Sequence, residues 1–389
     1  ISWPIGDAYL KQSEAALPSL SYRDVVRDPR LMSLIDTALA SNRDLRIAAA
    51  NVSAARASYD VQRAGRLPQV DAGVSAGATG GSGATNIVGR FGAELGITAF
   101  DIDLFGRVAA LTAAEQNRYF ATEAGARATR IALMGDIATT WVRYAADATL
   151  LRVAQDTARN AQRSLTLTQA RLKGGVAPRT DVRQAEQVLA TAQADMALQQ
   201  TAVAQDINAL QLLIGAPVDP ALLPRTIEDA DSAIAPVQAG VGSDILLRRP
   251  DVVQAEYELQ AANAAIGAAR AAKFPRITLT GALGLASDAL GALFSGGAFS
   301  WSGSSGASYP IFSGGSARAG VRLSEAQRDA ALATYERAIQ TAFREVSDAL
   351  ARQGTIGAQL AANRRLVDAA SDTARLTDAR YRGGVASYL

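Results

Sequence analysis

The 389 residues contain no cysteine and no histidine. Their absence excludes disulfides, thiol nucleophiles, sulfur or imidazole metal sites, and the commonest general base. Only carboxylates, lysines and hydroxyls remain for catalysis. A cysteine-free chain is compatible with an oxidising envelope compartment. Excess charge of one sign is also missing. The net charge is +2 with both signs interspersed, so no nucleic acid or other polyanion is implied as partner. Long apolar runs are absent too. The longest charge-free stretch, Ala289 to Ala317, has 29 residues, but 15 are Gly or Ser, which do not make a lipid-stable helix. Transmembrane β-strands, whose signal is far weaker, survive this test. No secretory leader opens the chain, which fits a mature form or a cytosolic protein.

What is present is written almost twice. Arg63-Ala64-Gly65-Arg66-Leu67-Pro68 returns 207 residues later as Arg270-Ala271-Ala272-Lys273-Phe274-Pro275. Arg171-Leu172-Lys173-Gly174-Gly175-Val176-Ala177 returns 209 residues later as Arg380-Tyr381-Arg382-Gly383-Gly384-Val385-Ala386. Such a period is too long for a solenoid repeat. It indicates a fused internal duplication, and the two offsets place an insertion of about two residues in the second helical arm. The halves are then expected to differ at their far turns.

Each half opens on a helix and a strand pair. A helical pattern runs from Ser41-Asn42 to about Gly65, and Pro68 closes it. The next segment carries only Asp71, Arg90 and Glu94 as charges and reads as strands over roughly 69–78 and 86–100, joined by a Gly/Ser turn at Gly77 to Gly83. The second half repeats this with Ile277 to Leu285, a flexible loop, and Phe299 through Tyr309. Ile277, Leu279, Gly281, Leu283 and Leu285 alternate with small or polar residues, as in a strand with one face in lipid and one in a polar lumen. Trp301 and Tyr309 are aromatics of the membrane-interface kind.

A very long helix follows. No proline interrupts Leu104 to Leu172, about 100 Å of helix if continuous. Leu151, Ala154, Ala158, Ala161, Leu165, Thr168 and Leu172 keep a 3-4 spacing, and the copy keeps it at Leu360, Asn363, Val367, Ala370, Ala374, Thr377 and Tyr381. Such a heptad predicts coiled-coil packing, and its small residues allow close approach. Gly174-Gly175 predicts a sharp reversal, with Pro178 at the next start and Thr180-Asp181 as its cap. The return helix, through Val182, Ala185, Leu189, Ala192, Met196 and Val203, stops at Gly215 with Pro217 behind it. The second return helix is not in the sequence, which ends at Leu389.

Four strands cannot close a barrel, and lipid tolerates no open sheet edge. Two chains give eight strands, whose interior side chains fill; three give twelve and a usable lumen. A homotrimer follows if the strands lie in a membrane.

Few residues suggest chemistry. Asp101 and Asp103 resemble a DxD metal motif, but their strand-to-helix junction favours helix capping about four to one. The matching junction, Tyr309 to Gly315, has no acids. Gly77 to Gly83 lacks the Lys-Ser/Thr of a phosphate loop. Arg171 and Arg380, duplicated in place, are assigned to the turn.

Together these landmarks resemble the TolC/OprM-type outer-membrane efflux factors. The matching stretches are Asp28-Pro29-Arg30-Leu31, Asn42-Arg43-Asp44-Leu45, Phe100 to Arg107, Leu246-Leu247-Arg248-Arg249-Pro250-Asp251, Tyr309 to Gly314 and the two Gly-Val-Ala turns. The resemblance implies a mainly α homotrimer with a twelve-stranded outer-membrane β-barrel and a twelve-helix periplasmic tunnel. Strands 69–100 and 275–312 would line the barrel, and helices 41–68, 104–215, 246–274 and 313–389 the tunnel. Segments 1–40 and 216–245 would form an equatorial region. It implies junctions at Asp101, Asp103, Gly106, Pro310 and Gly314. It also implies a periplasmic tip that meets an adaptor protein through Arg171, Gly174, Gly175, Val176 and Ala177 and through Arg380, Gly383, Gly384, Val385 and Ala386. Leu389 would fall near the pore constriction. Ser2-Trp3-Pro4 is similar to the stretch after the lipidated cysteine of the lipoprotein branch. No cofactor, metal or catalytic residue is implied. The expected function is a passive exit duct for drugs or other small molecules, working with an inner-membrane pump. The rivals are a trimeric coiled-coil adhesin or stalk, which predicts neither alternating strands nor paired turns, and a carboxylate-dependent enzyme, for which no acids cluster.

Overall fold

The computed structural model describes residues 21–79, 88–235 and 243–383. The elements in order are α1 (Tyr22–Val25), α2 (Pro29–Ser41), α3 (Arg43–Ala64), β1 (Val70–Thr79), β2 (Val88–Asp101), α4 (Arg107–Lys173), α5 (Arg179–Ile214), α6 (Pro250–Ala271), β3 (Arg276–Ser287), β4 (Phe299–Ser308) and α7 (Ser316–Arg382). The duplication is explicit in these bounds. Helices α3 and α6 have 22 residues each and lie 207 apart; α4 and α7 have 67 each and lie 209 apart.

That comparison moves the insertion. The two long helices are equal in length, so the second arm holds no extra residues between its ends. Strands β2 and β4 still end 207 apart, at Asp101 and Ser308. The two added residues therefore lie in the strand-to-helix linker, which is 102–106 in one half and 309–315 in the other. The difference in length sits there, and the two long helices match residue for residue between their ends.

Residues 1–46, 129–242 and 346–389 form one compact unit, and residues 47–128 and 243–345 the other. The first unit holds the main apolar core. Leu31, Leu34, Ile35 and Ala38 of α2 pack with Leu133, Ile137, Trp141 and Ala145 of α4 and with Leu210 and Ile214 of α5. Each set recurs at three or four residues, so one stripe of each helix faces inward. Trp141 is fully buried, donates from Nε1 to the Leu222 carbonyl at 3.0 Å, and lies under the Arg30 guanidinium. The segment after α5 is tied in by backbone bonds from Arg27 to Ala233 and from Ala235 to Val25.

Helix α5 ends against the start of α3. Gly215 has φ of 75°, and a Cβ there would sit 2.6 Å from the Ser41 carbonyl oxygen. Ser41 Oγ and Asn42 Nδ2 donate to the last free carbonyls of α5, those of Ile214 and Leu213, at 2.6 and 2.7 Å. Asn42 Oδ1 meanwhile accepts from the Leu45 amide at 2.9 Å, so one buried side chain caps two helices.

Further along, α4 and α5 run as a hairpin whose seam is the expected heptad. Ala158, Ala161, Leu165 and Thr168 are buried, and Leu165 meets Val182 and Ala185. The copied seam on α7 stays exposed, with Leu360 48% and Val367 62% accessible.

The second unit carries one antiparallel sheet, in the order β1-β2-β3-β4. It also holds a small core in which Leu246 and Val252 meet Ala342 of α7. The loop between β3 and β4, expected to be flexible throughout, contains a 3-10 turn at Leu290–Phe294 that buries Leu293. The Gly/Ser turn joining β1 to β2 lies for the most part outside the described residues.

Candidate functional site

Register sorts the sheet into two chemically distinct faces. One row across it is Ala72, Leu95, Leu283 and Trp301; the next is Gly73, Glu94, Gly284 and Ser300. Apolar and small-polar rows alternate because successive side chains point to opposite faces. On the apolar face Val74, Leu95, Leu283 and Trp301 are between 49% and 89% exposed, so this chain does not cover it. The other face carries Asp71, Arg90 and Glu94 among glycine, serine and threonine. A bulge between Ile97 and Phe100 shifts the register by one residue and places Ala99 at φ of 50°. It keeps Phe100 paired with Leu279, in the apolar row, and sends Asp101 to the polar side.

Asp101 is not a cap. Its Oδ2 accepts from Arg107 at 2.5 Å and forms an ion pair with Arg276 at 3.3 Å, linking the end of β2 to the starts of α4 and β3. Asp103 does cap, accepting the Ala109 amide at 2.7 Å in the first turn of α4. Gly106, immediately before α4, has φ of 72°. Its structural counterpart before α7 is Gly315, at φ of 85°, and Gly314, the junction residue named from the sequence, is also left-handed at 58°. Shifting Gly106 by 209 would have found Gly315. Pro310 lies in the same linker, beside exposed Ile311 and Phe312.

The turn after α4 is a Schellman closure. The Val176 amide donates to the Arg171 carbonyl and the Gly175 amide to that of Leu172, each at 3.0 Å. Only Gly175, with φ of 75°, needs glycine; Gly174 does not. Ala177 is half-buried, and Pro178 itself occupies the N-cap of α5. Thr180 and Asp181 are therefore inside the first turn, and no side chain caps this start. The copied turn begins identically. Gly383 donates to Ala379 at 3.0 Å, as Gly174 does to Ala170. Arg380 is exposed, whereas Arg171 is half-buried. Gly384, Val385, Ala386 and Leu389 lie outside the described residues.

At the start of α6, Arg249 bridges Asp251 at 2.8 Å and Glu345 of α7 at 2.7 Å. Its hydrogen bonds to these carboxylates hold the guanidinium above its usual pKa, and the Arg249 bond holds Asp251 below the usual carboxylate range. The Leu246 to Asp251 motif is thus a helix-to-helix clamp. No group of metal-binding side chains occurs among the described residues, and no described helix is long and apolar enough to cross a membrane.

A sheet with one exposed apolar face and two long helices ending in duplicated turns narrows the choice of family. Residues 34–216 and 241–389 match the family model for outer membrane efflux proteins. The chain belongs to that family. Over 398 residues it is 44% identical to the solvent efflux pump outer membrane protein SrpC of Pseudomonas putida, covering all of this chain and 84% of that one. The crystal structure of CusC aligns with a TM-score of 0.85 at 35% identity, over 96% of this chain and 87% of that one. The open state of the MtrE outer membrane channel of Neisseria gonorrhoeae aligns with a TM-score of 0.80 at 33% identity, over 95% and 84%. This chain is accordingly an outer-membrane component of efflux, and the stalk reading falls away.

Proposed function

We propose that three copies of this chain close one passive exit duct across the outer membrane. The observation that carries this is the open four-stranded sheet. Strands β1 and β4 each have one unpaired edge among the described residues, and the sheet's apolar face is bare. Unpaired backbone groups in hydrocarbon cost several kcal/mol each, so in lipid β4 of one copy must pair with β1 of the next. Three copies give twelve strands around a lumen lined by Gly, Ser, Thr, Asp71, Arg90 and Glu94. The exposed copy of the heptad on α7 is then covered by helices of a neighbouring copy.

In this reading strands 69–100 and 275–312 form the barrel, the four helical segments form the tunnel, and 1–40 with 216–245 form an equatorial region. The turns at Arg171 to Ala177 and Arg380 to Ala386 form the tip that receives a periplasmic adaptor, which links the duct to an inner-membrane pump. Leu389 lies near the constriction, and the junctions at Asp101, Asp103, Gly106, Pro310 and Gly314 aim the helices away from the barrel. The names of relatives support solvents and antibiotics as cargo. The duct has no catalytic step; energy enters at the pump.

Because the chain has no cysteine, introduced ones report cleanly. Val74→Cys on β1, combined in turn with Phe299→Cys, Trp301→Cys or Gly303→Cys on β4, is expected to give oxidised ladders ending at three chains. A ladder ending at two, or none at any register, would overturn the trimeric closure.

A further inference from the structure

Among the described buried residues, Asp206 is the one with a charged side chain, 3% exposed near the end of α5. Its Oδ1 accepts from Arg143 Nε at 2.6 Å. Its Oδ2 is buried and meets no donor among the described residues. A second carboxyl acts on this one: Asp147, one turn beyond Arg143 on α4, feels both the Asp206 side chain and its charge. Two carboxylates in contact have four acceptor oxygens and no hydrogen between them. Burial, then the contact with Asp206, then its charge, hold the Asp147 carboxyl above its ordinary value, with Arg143 opposing them. An orphaned buried Oδ2 beside a second carboxyl calls for a hydrogen between them.

We propose that Asp147 and Asp206 form a proton-binding site, holding one shared proton that ties α4 to α5. Asp147, which is half-buried, takes the proton from water and donates its O–H to Asp206 Oδ2. Arg143 holds Oδ1, so the protonated pair carries one negative charge against one positive. Loss of the proton to water leaves two negative charges against the same guanidinium. Tyr144, also on α4, is held above its ordinary value by burial alone. On α5 the positions a turn either side of Asp206 are Ala202, Val203, Ala209 and Leu210. On α2, which packs against α5, Arg30 is engaged by Asp28 and Asp36 by Arg23. On α3, Arg43 donates to the Ser41 carbonyl.

The site lies at the root of the α4–α5 hairpin, beside the core around Leu210 and Trp141. Asp147's folded pKa is raised, so the proton's contribution is complete below the ordinary carboxylate value of about 3.9. It is lost as pH rises through the raised value. Acid therefore tightens the hairpin root, independently of how many copies assemble.

The test is hydrogen exchange on the intact protein between pH 4 and 8, corrected for intrinsic rates and read on the amides of 199–214. One linked proton predicts that protection falls by up to about tenfold per pH unit through the transition. In Asp147→Asn the amide Nδ2 replaces the O–H donor, so that slope should vanish. The infrared C=O band of a protonated carboxyl should be lost with it. Asp206→Asn removes the same band by deleting the acceptor, and serves if the first variant folds poorly. An unchanged slope in Asp147→Asn, or no protonated-carboxyl band lost from either variant, would overturn the proposal.

Discussion

Gly284→Val is expected to abolish assembly into the outer membrane. A Cβ at 284 would sit 2.3 Å from the Ala93 carbonyl oxygen and 2.8 Å from Glu94 Cα. Both atoms are backbone of β2, held by pairing on either side. Nothing there can turn aside as a side chain would, so the clash is relieved only by parting β2 from β3. Overpacking a core costs about 1–3 kcal/mol where neighbours can shift, and this site is less yielding. Gly303→Val on β4 is the control. Its Cβ meets nothing within 4 Å, and the same branched side chain should be tolerated. Membrane-inserted, detergent-resistant protein should be lost for the first variant and kept for the second. Equal yields would mean that β2 and β3 are not paired in this register.

The second large effect is expected far from lipid. Trp141→Ala should cost about 3–5 kcal/mol of stability in the unit containing α2, α4 and α5. The ring is fully buried at the meeting point of three elements, so its removal leaves a cavity. It also leaves the Leu222 carbonyl without its donor and Arg30 without its aromatic partner. Trp141→Phe keeps most of the bulk and loses the bond, for about 1–3 kcal/mol. Denaturation of the three proteins side by side checks the order. A cost below about 1 kcal/mol for the alanine variant would show that this core is not what anchors the segment after α5.

Much of this architecture is legible in the sequence because two periods carry it. Alternation at Ile277 to Leu285 gives β3, and 3-4 spacing from Leu151 to Leu172 gives the α4 seam, both consequences of chain geometry alone. Gly175 and Gly215 are legible as stops because only a left-handed residue closes those helices as they are closed here. The misses have physical causes. The insertion was misplaced because its two landmarks, Pro275 and Arg380, bracket about a hundred residues, and helix bounds were needed to divide them. The bulge at Ala99 inverts the alternation without any local signal. Asp101 reads as a cap until Arg276, far along the chain, is seen beside it. Trp141 and Asp206 owe their roles to juxtaposition, which no period encodes. The single-chain sequence also names the apolar sheet face without showing what covers it, and the same holds for the exposed seam on α7.

The central claim is that the assembled protein is a passive pore. Planar-bilayer recording of the intact protein, with the tip relaxed by mutation, tests it most directly. Discrete single-channel steps with no nucleotide or proton gradient present are the predicted result. Folded, membrane-inserted assemblies that give no discrete conductance would contradict it.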